Sequence, residues 1–362
     1  MKARTLSALL LMLIGLAGCS SGGKTFLYTT GPGTPEIFQF QIHSDGSLSA
    51  LNPGNSPAGT GPVSVVIHPS NDFAYIANFT GNTVTLLSVN RGNGQLSVPT
   101  TTVVVPPPTP PNIFNTGTGP IAIAVSPAGT FLYVLNQGSS NISAFTVDPT
   151  TGNLGTVMGS PFATPASPRS IAISTNGNFL YVANPTLGTV SAFAVDSHGV
   201  LTASGTFAAG TSPTFVMVEP SGHFVYVADS TGNAVLGFSI GSGGALTPVS
   251  GSPFAVSSQP VAITTTPGGA FLYVANQGSS NVSAFVIDAK TGSLGAVSGS
   301  PFPTGGRGPT FLAATGALLY VTDQITDDLA AFTIGTNGAL TRVNGSPFNV
   351  ATQPVWVTVA NP

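Results

Sequence analysis

Arg169 and Arg307 are the two side chains of this sequence whose type and position best suit them to hold an anion. Arg169 follows Pro168 and Arg307 lies two residues before Pro309, each a proline that opens an apolar run. A guanidinium there offers a planar fork of donors to a carboxylate or phosphate. Hydrolytic chemistry would need more: a base to activate water and donors to hold the oxyanion. Glu36 is the carboxylate expected on the same face, so Arg169, Arg307 and Glu36 are the candidate catalytic residues, with Arg169 as anion or oxyanion donor. Histidines add little. His198 precedes Gly199 and His223 follows Gly222, both as turn residues, while His43 ends a strand and His68 stands before Pro69. No histidine pair has metal-ligand spacing and no Gly-x-Ser-x-Gly elbow occurs. Glycine-rich pieces such as Gly241-Ser-Gly-Gly244 are turns, with no helix behind them to hold a phosphate. Asp323, Asp327 and Asp328 would either bind a cation or, more simply, sit solvated in a loop. No metal and no cofactor are expected.

The elements that must position these residues repeat. Gly129 to Phe162 returns almost intact at Gly269 to Phe302; between 131–162 and 271–302, 23 of 32 positions are identical. All seven tyrosines, Tyr28, Tyr75, Tyr133, Tyr181, Tyr226, Tyr273 and Tyr320, occupy one column, spaced 47, 58, 48, 45, 47 and 47 residues apart. A fixed period of this length marks a repeat architecture. A Gly-x-Leu column runs from Gly46-Ser47-Leu48 to Gly338-Ala339-Leu340, and Asn or Asp stands three residues after six of the tyrosines. Proline opens the next apolar run at Pro62, Pro120, Pro168, Pro213, Pro260, Pro309 and Pro354.

These columns translate into four short strands per repeat. The first is the run after proline, the second surrounds Tyr, the third alternates as in Ile142 to Val147, and the fourth follows Gly-x-Leu and often ends in Gly-Ser-Pro-Phe. Turns rich in Gly, Asn, Asp and Ser separate them. The expected fold is all-β: a seven-bladed β-propeller, four antiparallel strands per blade. The Tyr28 strand is the second of its repeat, and Pro354 to Ala360 reads as a lone first strand. Three N-terminal strands plus one C-terminal strand should therefore close the ring and remove its open edges. Arg169 replaces Val63, Ile121, Thr214, Val261, Thr310 or Val355 of the other repeats, near the mouth of the central channel. Arg307 lies on the corresponding connection three blades away. Trp356, in a column with Ser64, Ala122, Ser170 and Ala262, is expected to pack in the core. The long interval holds a Pro-rich insertion, Val104 to Asn115. It is expected to join a fourth strand to the next first strand, and so either to cover the channel mouth or meet a partner, or to be no more than a tolerated surface insertion.

Composition agrees with a folded β protein. Charged residues make up 5% and hydrophobic ones 42%, with 45 Gly and 31 Pro, too apolar for disorder. The net charge of −3, with no basic patch, gives no support to nucleic-acid binding. The N-terminus is separate. Lys2 and Arg4 precede an apolar run, Leu6 to Leu16, too short to span a bilayer comfortably. It ends in Leu16-Ala17-Gly18-Cys19, which resembles a bacterial lipobox, and Cys19 is the single cysteine. The expected organisation is a lipoprotein signal peptide over 1–18, a lipidated Cys19 with a short tether over 19–25, and the propeller over 26–362. Several acyl chains on Cys19 would anchor it stably to the membrane of a bacterial envelope. Ser20 rather than Asp after the cysteine points to the outer membrane.

The Phe-Leu-Tyr-Val-Ala-Asn repeat resembles YVTN-type propellers. Over about residues 26–362 the chain is more closely similar to the lactonase-like seven-bladed propellers, which include 6-phosphogluconolactonases and the fungal muconate cycloisomerase. The resemblance implies a Gly-Pro-Arg-His opening of one first strand and a Glu soon after a Tyr-Val-x-Asn strand. Here the opening is Ser167-Pro168-Arg169-Ser170, and Pro185 follows Tyr181-Val-Ala-Asn184. The arginine is kept; the histidine and glutamate are not. Two functions follow as expectations. One is a binding or scaffold module taking a small anionic ligand or an envelope protein partner; the other is a lactonase acting on a sugar lactone.

Overall fold

The tyrosine runs are buried on both faces. In Phe131–Asn136, Leu132 and Val134 pack toward the preceding sheet, while Tyr133 and Leu135 pack toward the following one. A strand covered on both sides needs an apolar residue at nearly every position, so these runs do not alternate. The computed structural model describes residues 24–99, 112–350 and 352–360. Cys19 with its leader, and the Pro-rich segment up to Pro111, lie outside the described residues.

Seven antiparallel sheets form, each ordered as the sequence predicts, from an inner strand outward. Blade 1 consists of Thr25–Thr30, Glu36–Ile42 and Leu48–Pro57, with Trp356–Ala360 as its inner strand. Tyr28 lies opposite Thr358 across that seam. The inner strands of blades 2 to 7 are Pro62–Ile67, Pro120–Val125, Ser170–Ile173, Pro213–Val218, Pro260–Thr265 and Pro309–Ala314. Each packs against its neighbours around the ring, and Trp356–Ala360 packs against both Pro309–Ala314 and Pro62–Ile67. The chain is therefore a closed seven-bladed β-propeller.

Among the described residues, each interface between adjacent blades holds one apolar cluster, including that between blade 7 and blade 1. Every tyrosine is fully buried, and its hydroxyl donates to the carbonyl of the Gly-x-Leu glycine in the next blade: Tyr28 to Gly94, Tyr133 to Gly199, and so on round to Tyr320 and Gly46. The buried hydroxyl thus finds a partner, and two sequence columns are explained by one contact. The glycine is required because its φ is positive, +84° at Gly46, and because a Cβ there would run into the neighbouring blade, 2.7 Å from a Leu318 methyl.

The outer strand differs from expectation. In blade 3 it breaks into Leu154–Thr156 and Phe162–Ala163, both pairing the strand Asn141–Val147. Gly159, Ser160 and Pro161 lie between, and Ser160 Oγ accepts the Ala144 N–H at 2.9 Å. The Gly-Ser-Pro triplet thus interrupts the strand rather than ending it. Blade 2 has the same break, between Leu96–Ser97 and Ile113–Asn115, both pairing Thr83–Val89. Ile113–Asn115 therefore belongs to the outer edge of blade 2, while the rest of the Pro-rich stretch, Val104 to Pro111, lies outside the described residues.

Candidate functional site

At the end of the ring where the inner strands begin, the seven strands leave a funnel of about 230 Å3. Its rim is built from one sequence column, the residue after each opening proline. Val355, Val63, Ile121, Arg169, Thr214, Val261 and Thr310 all line it, one per blade. Arg169 is the single charged member. Its side chain is exposed, and among the described residues it makes no hydrogen bond or ion pair. Blade 4 stands three positions from both blade 7 and blade 1, so Arg169 faces those two across the opening.

The next column also borders the funnel. Registers shift between the opening proline and the second residue after it, as between Pro213 and Phe215 and between Pro309 and Phe311. Such a bulge lets consecutive side chains border the same space. Phe215, Phe311 and Trp356 consequently form an aromatic wall on blades 5, 7 and 1. Phe215 meets Phe311 edge-on at 5.6 Å, and Phe311 stacks on Trp356 with ring centroids 3.8 Å apart and planes 25° from parallel. Ala262, the small member on blade 6, leaves room for the two phenylalanines to touch. Trp356 is thus half-buried: it packs against the core between blades 1 and 2, as the sequence suggests, and it also borders the funnel. The signal for the wall was present: Phe215 and Phe311 share the Trp356 column, where the other blades have Ser or Ala.

Two amides, Gln277 and Gln324, reach the funnel from the hairpins after the tyrosine strands of blades 6 and 7. The hydroxyls nearby are engaged. Thr214 donates to the Pro260 carbonyl and Thr310 to the Pro354 carbonyl, each at 3.1 Å. Ser170, where the family resemblance calls for histidine, is buried, and its Oγ accepts the Val216 N–H at 3.2 Å. Pro185, where a glutamate would stand, opens a short 3-10 turn, Pro185–Leu187.

The other candidates lie elsewhere. Glu36 begins its strand at the mouth end of blade 1, but it accepts a hydrogen bond from Asn55 Nδ2 at 2.5 Å and does not line the funnel. Arg307 is exposed on the connection into blade 7 and does not line it either. His68 is buried at the far end of its strand, with Nδ1 2.8 Å from Ser70 Oγ and Nε2 2.8 Å from the Gly129 carbonyl. Its role there is to stitch blade 2 to blade 3. His43, His198 and His223 make local turn contacts. Among the described residues, no titratable acid or base lines the funnel, and no group of three His, Cys, Asp or Glu side chains is placed to hold a metal.

The acidic cluster is not a solvated loop. Asp323 is fully buried and Asp328 nearly so, directly opposite each other across the hairpin. In blade 3 the same two positions are Asn136 and Asn141, and the Asn136 amide donates to Asn141 and Ser143 at 2.8 and 2.9 Å. An ionised Asp323 has no such proton to give, and neither of its carboxyl oxygens reaches a hydrogen-bond partner. Burial, with the Asp328 carboxylate adding to it and the nearby Thr304 hydroxyl opposing it, pushes Asp323 up to about 7. Burial first and the Asp327 charge second also raise Asp328. Asp327 itself accepts the Gln353 N–H at 2.7 Å, tying blade 7 to blade 1.

A family model described as "Lactonase, 7-bladed beta-propeller" matches residues 20–218 and 200–306. A 6-phosphogluconolactonase of Enterobacter sp. (strain 638) is 28% identical over 139 residues, covering 37% of this chain and 40% of that protein. One of Bacillus subtilis (strain 168) is 26% identical over 125 residues, covering 34% of each. The matched stretch thus spans less than half the length of these curated relatives. Among solved structures, a putative 6-phosphogluconolactonase from Bacteroides uniformis superposes with a TM-score of 0.78 at 18% identity, over 93% of this chain and 99% of that one. The periplasmic gluconolactonase of Pseudomonas aeruginosa gives 0.77 at 17% identity, over 94% and 99%. At such identities the likeness is one of fold.

Proposed function

The chain belongs to the lactonase family of seven-bladed β-propellers, and from that premise we propose that it is a binding module which holds a small organic anion in its funnel without hydrolysing it. One observation carries this reading. Among the described residues the funnel has a cation, an aromatic wall and two amides, but no side chain able to take a proton from water. A lactonase needs such a base, since Arg169 alone supplies charge and donors but no proton acceptor. The positions where the family resemblance implies a histidine and a glutamate hold Ser170 and Pro185, both bound up in local structure. A funnel of this kind is concave, mostly apolar and sparingly polar, as ligand sites generally are.

The rival reading is a lactonase of the kind its curated relatives are named for, with Arg169 as oxyanion donor. Family membership and the unpaired Arg169 favour it; the missing base speaks against it. The same proposal places the propeller in the bacterial envelope, held at the outer membrane by lipid on Cys19, with the lipobox-like Leu16 to Cys19 as its support.

Calorimetric titration with a panel of small carboxylates tests the binding reading. We expect saturable binding of one ligand per chain, weakened about tenfold or more by Arg169→Gln, because one charge-assisted bidentate pair is lost. Binding that is indifferent to Arg169→Gln would remove the funnel as the site.

A further inference from the structure

We propose that the ligand of the funnel is a flat monocarboxylate with an aromatic or conjugated body, rather than a sugar acid or a phosphate. The inference rests on the binding reading above and sharpens it. Three observations lead to it.

The first is the wall. Phe215, Phe311 and Trp356 form a contiguous aromatic surface, in which Phe311 meets Phe215 edge-on and stacks on Trp356 at 3.8 Å, so that the rings' edges and remaining faces border the funnel. Its Phe311 and Trp356 stand across the opening from Arg169, and Phe215 stands on the blade next to it. A ligand spanning the funnel therefore has one end against a guanidinium and its body against aromatic rings. Offset or edge contacts with those rings favour a flat π-system.

The second is the polar inventory. Sugar rings do lay their C–H faces on aromatics, but they also need partners around their rim for several hydroxyls. The donor protons of Thr214 and Thr310 are already given to the Pro260 and Pro354 carbonyls, and Ser170 is held by Val216. Gln277 and Gln324 remain, both on one side of the ring. A polyhydroxylated acid would leave most of its hydroxyls dry and unpaired against Val63, Ile121, Val261 and the aromatic wall, which opposes binding.

The third is charge and size. Arg169 is the single ionised side chain among the described residues lining the funnel. It matches one carboxylate in a two-pronged pair, whereas a phosphate dianion would leave charge unmatched. About 230 Å3 admits one ring with a short acidic arm.

Trp356 supplies the test, because it is the single tryptophan of the chain and part of the wall. Its emission is followed in the purified protein while benzoate, phenylacetate, D-gluconate, 6-phosphogluconate or inorganic phosphate is added, with calorimetry in parallel. Benzoate and phenylacetate should change the emission saturably and bind about tenfold or more tightly than D-gluconate or the phosphates. Arg169→Gln should weaken benzoate about tenfold but leave the weak binding of neutral benzyl alcohol unaltered; Phe311→Leu should weaken both. If D-gluconate or 6-phosphogluconate binds more tightly than benzoate, and does so through Arg169, the ligand class is wrong and the binding reading stands. If no probe binds, both fall.

Discussion

The hydroxyl of Tyr320 donates to the carbonyl of Gly46 across 3.0 Å. The two residues are 274 positions apart in sequence, yet they repeat the contact that Tyr133 makes to Gly199 in the next blade. The last blade therefore meets the first as any blade meets its successor. Removing the hydroxyl with Tyr320→Phe leaves a buried carbonyl without its donor. We expect a loss of ~1–2 kcal/mol in urea unfolding, equal to that from Tyr133→Phe. A silent Tyr320→Phe beside a costly Tyr133→Phe would mean that the ring is open at that seam.

Gly46→Ala should cost more than either. The new methyl would sit 2.7 Å from Leu318 and 2.8 Å from Val343, at a φ of +84°. Crowding and backbone strain together predict roughly 2–4 kcal/mol, read from the shift in the unfolding midpoint at unchanged slope.

Stability should fall as pH rises from about 5 to 8, and Asp323 should be the cause. Its folded pKa, about 7, lies above the unfolded value of ~3.9. Between those values the folded chain binds the extra proton, so stability is full below the lower one and is lost as pH rises through the upper one. The span is on the order of 2–4 kcal/mol. Asp323→Asn supplies the amide that Asn136 uses in blade 3, here facing Asp328. It should flatten the melting temperature across this range and raise it at pH 8. A wild-type profile that is already flat from pH 5 to 8 would contradict a raised Asp323.

Much of this was legible before any coordinates, and the reason is physical. Tyr133 and Gly199 are each required by the other, so both columns persist and their period gives the blade count and the closing strand. The column holding Arg169 likewise gave its place at the mouth. What was hidden depended on local backbone departures. What the sequence does not show of Trp356 is that, besides packing against the core between blades 1 and 2, it borders the funnel as its neighbour Val355 does. The Gly-Ser-Pro triplet reads as a strand end, whereas in blade 3 the outer strand resumes beyond it. Arg307 and Glu36 were chosen from connectivity, which fixes the end of the ring they occupy but not their distance from its axis. Asp323 and Asp328 were read as solvated because the pattern, not the burial, was visible.

The proposed lipid attachment at Cys19 makes a separate, direct prediction. In the bacterial host, Cys19→Ser should move the protein from the membrane fraction to the soluble fraction and abolish incorporation of labelled fatty acid. Retention of Cys19→Ser in the membrane fraction, or the absence of label in the wild type, would overturn the anchor.

The central claim is that the funnel binds without catalysing. It is tested most directly by the rate of opening of glucono-1,5-lactone and 6-phosphogluconolactone, followed by acid release against the buffer rate, for wild type and Arg169→Gln side by side. The account predicts that both proteins match buffer. Acceleration by the wild type that is lost in Arg169→Gln would contradict it and make the chain a lactonase.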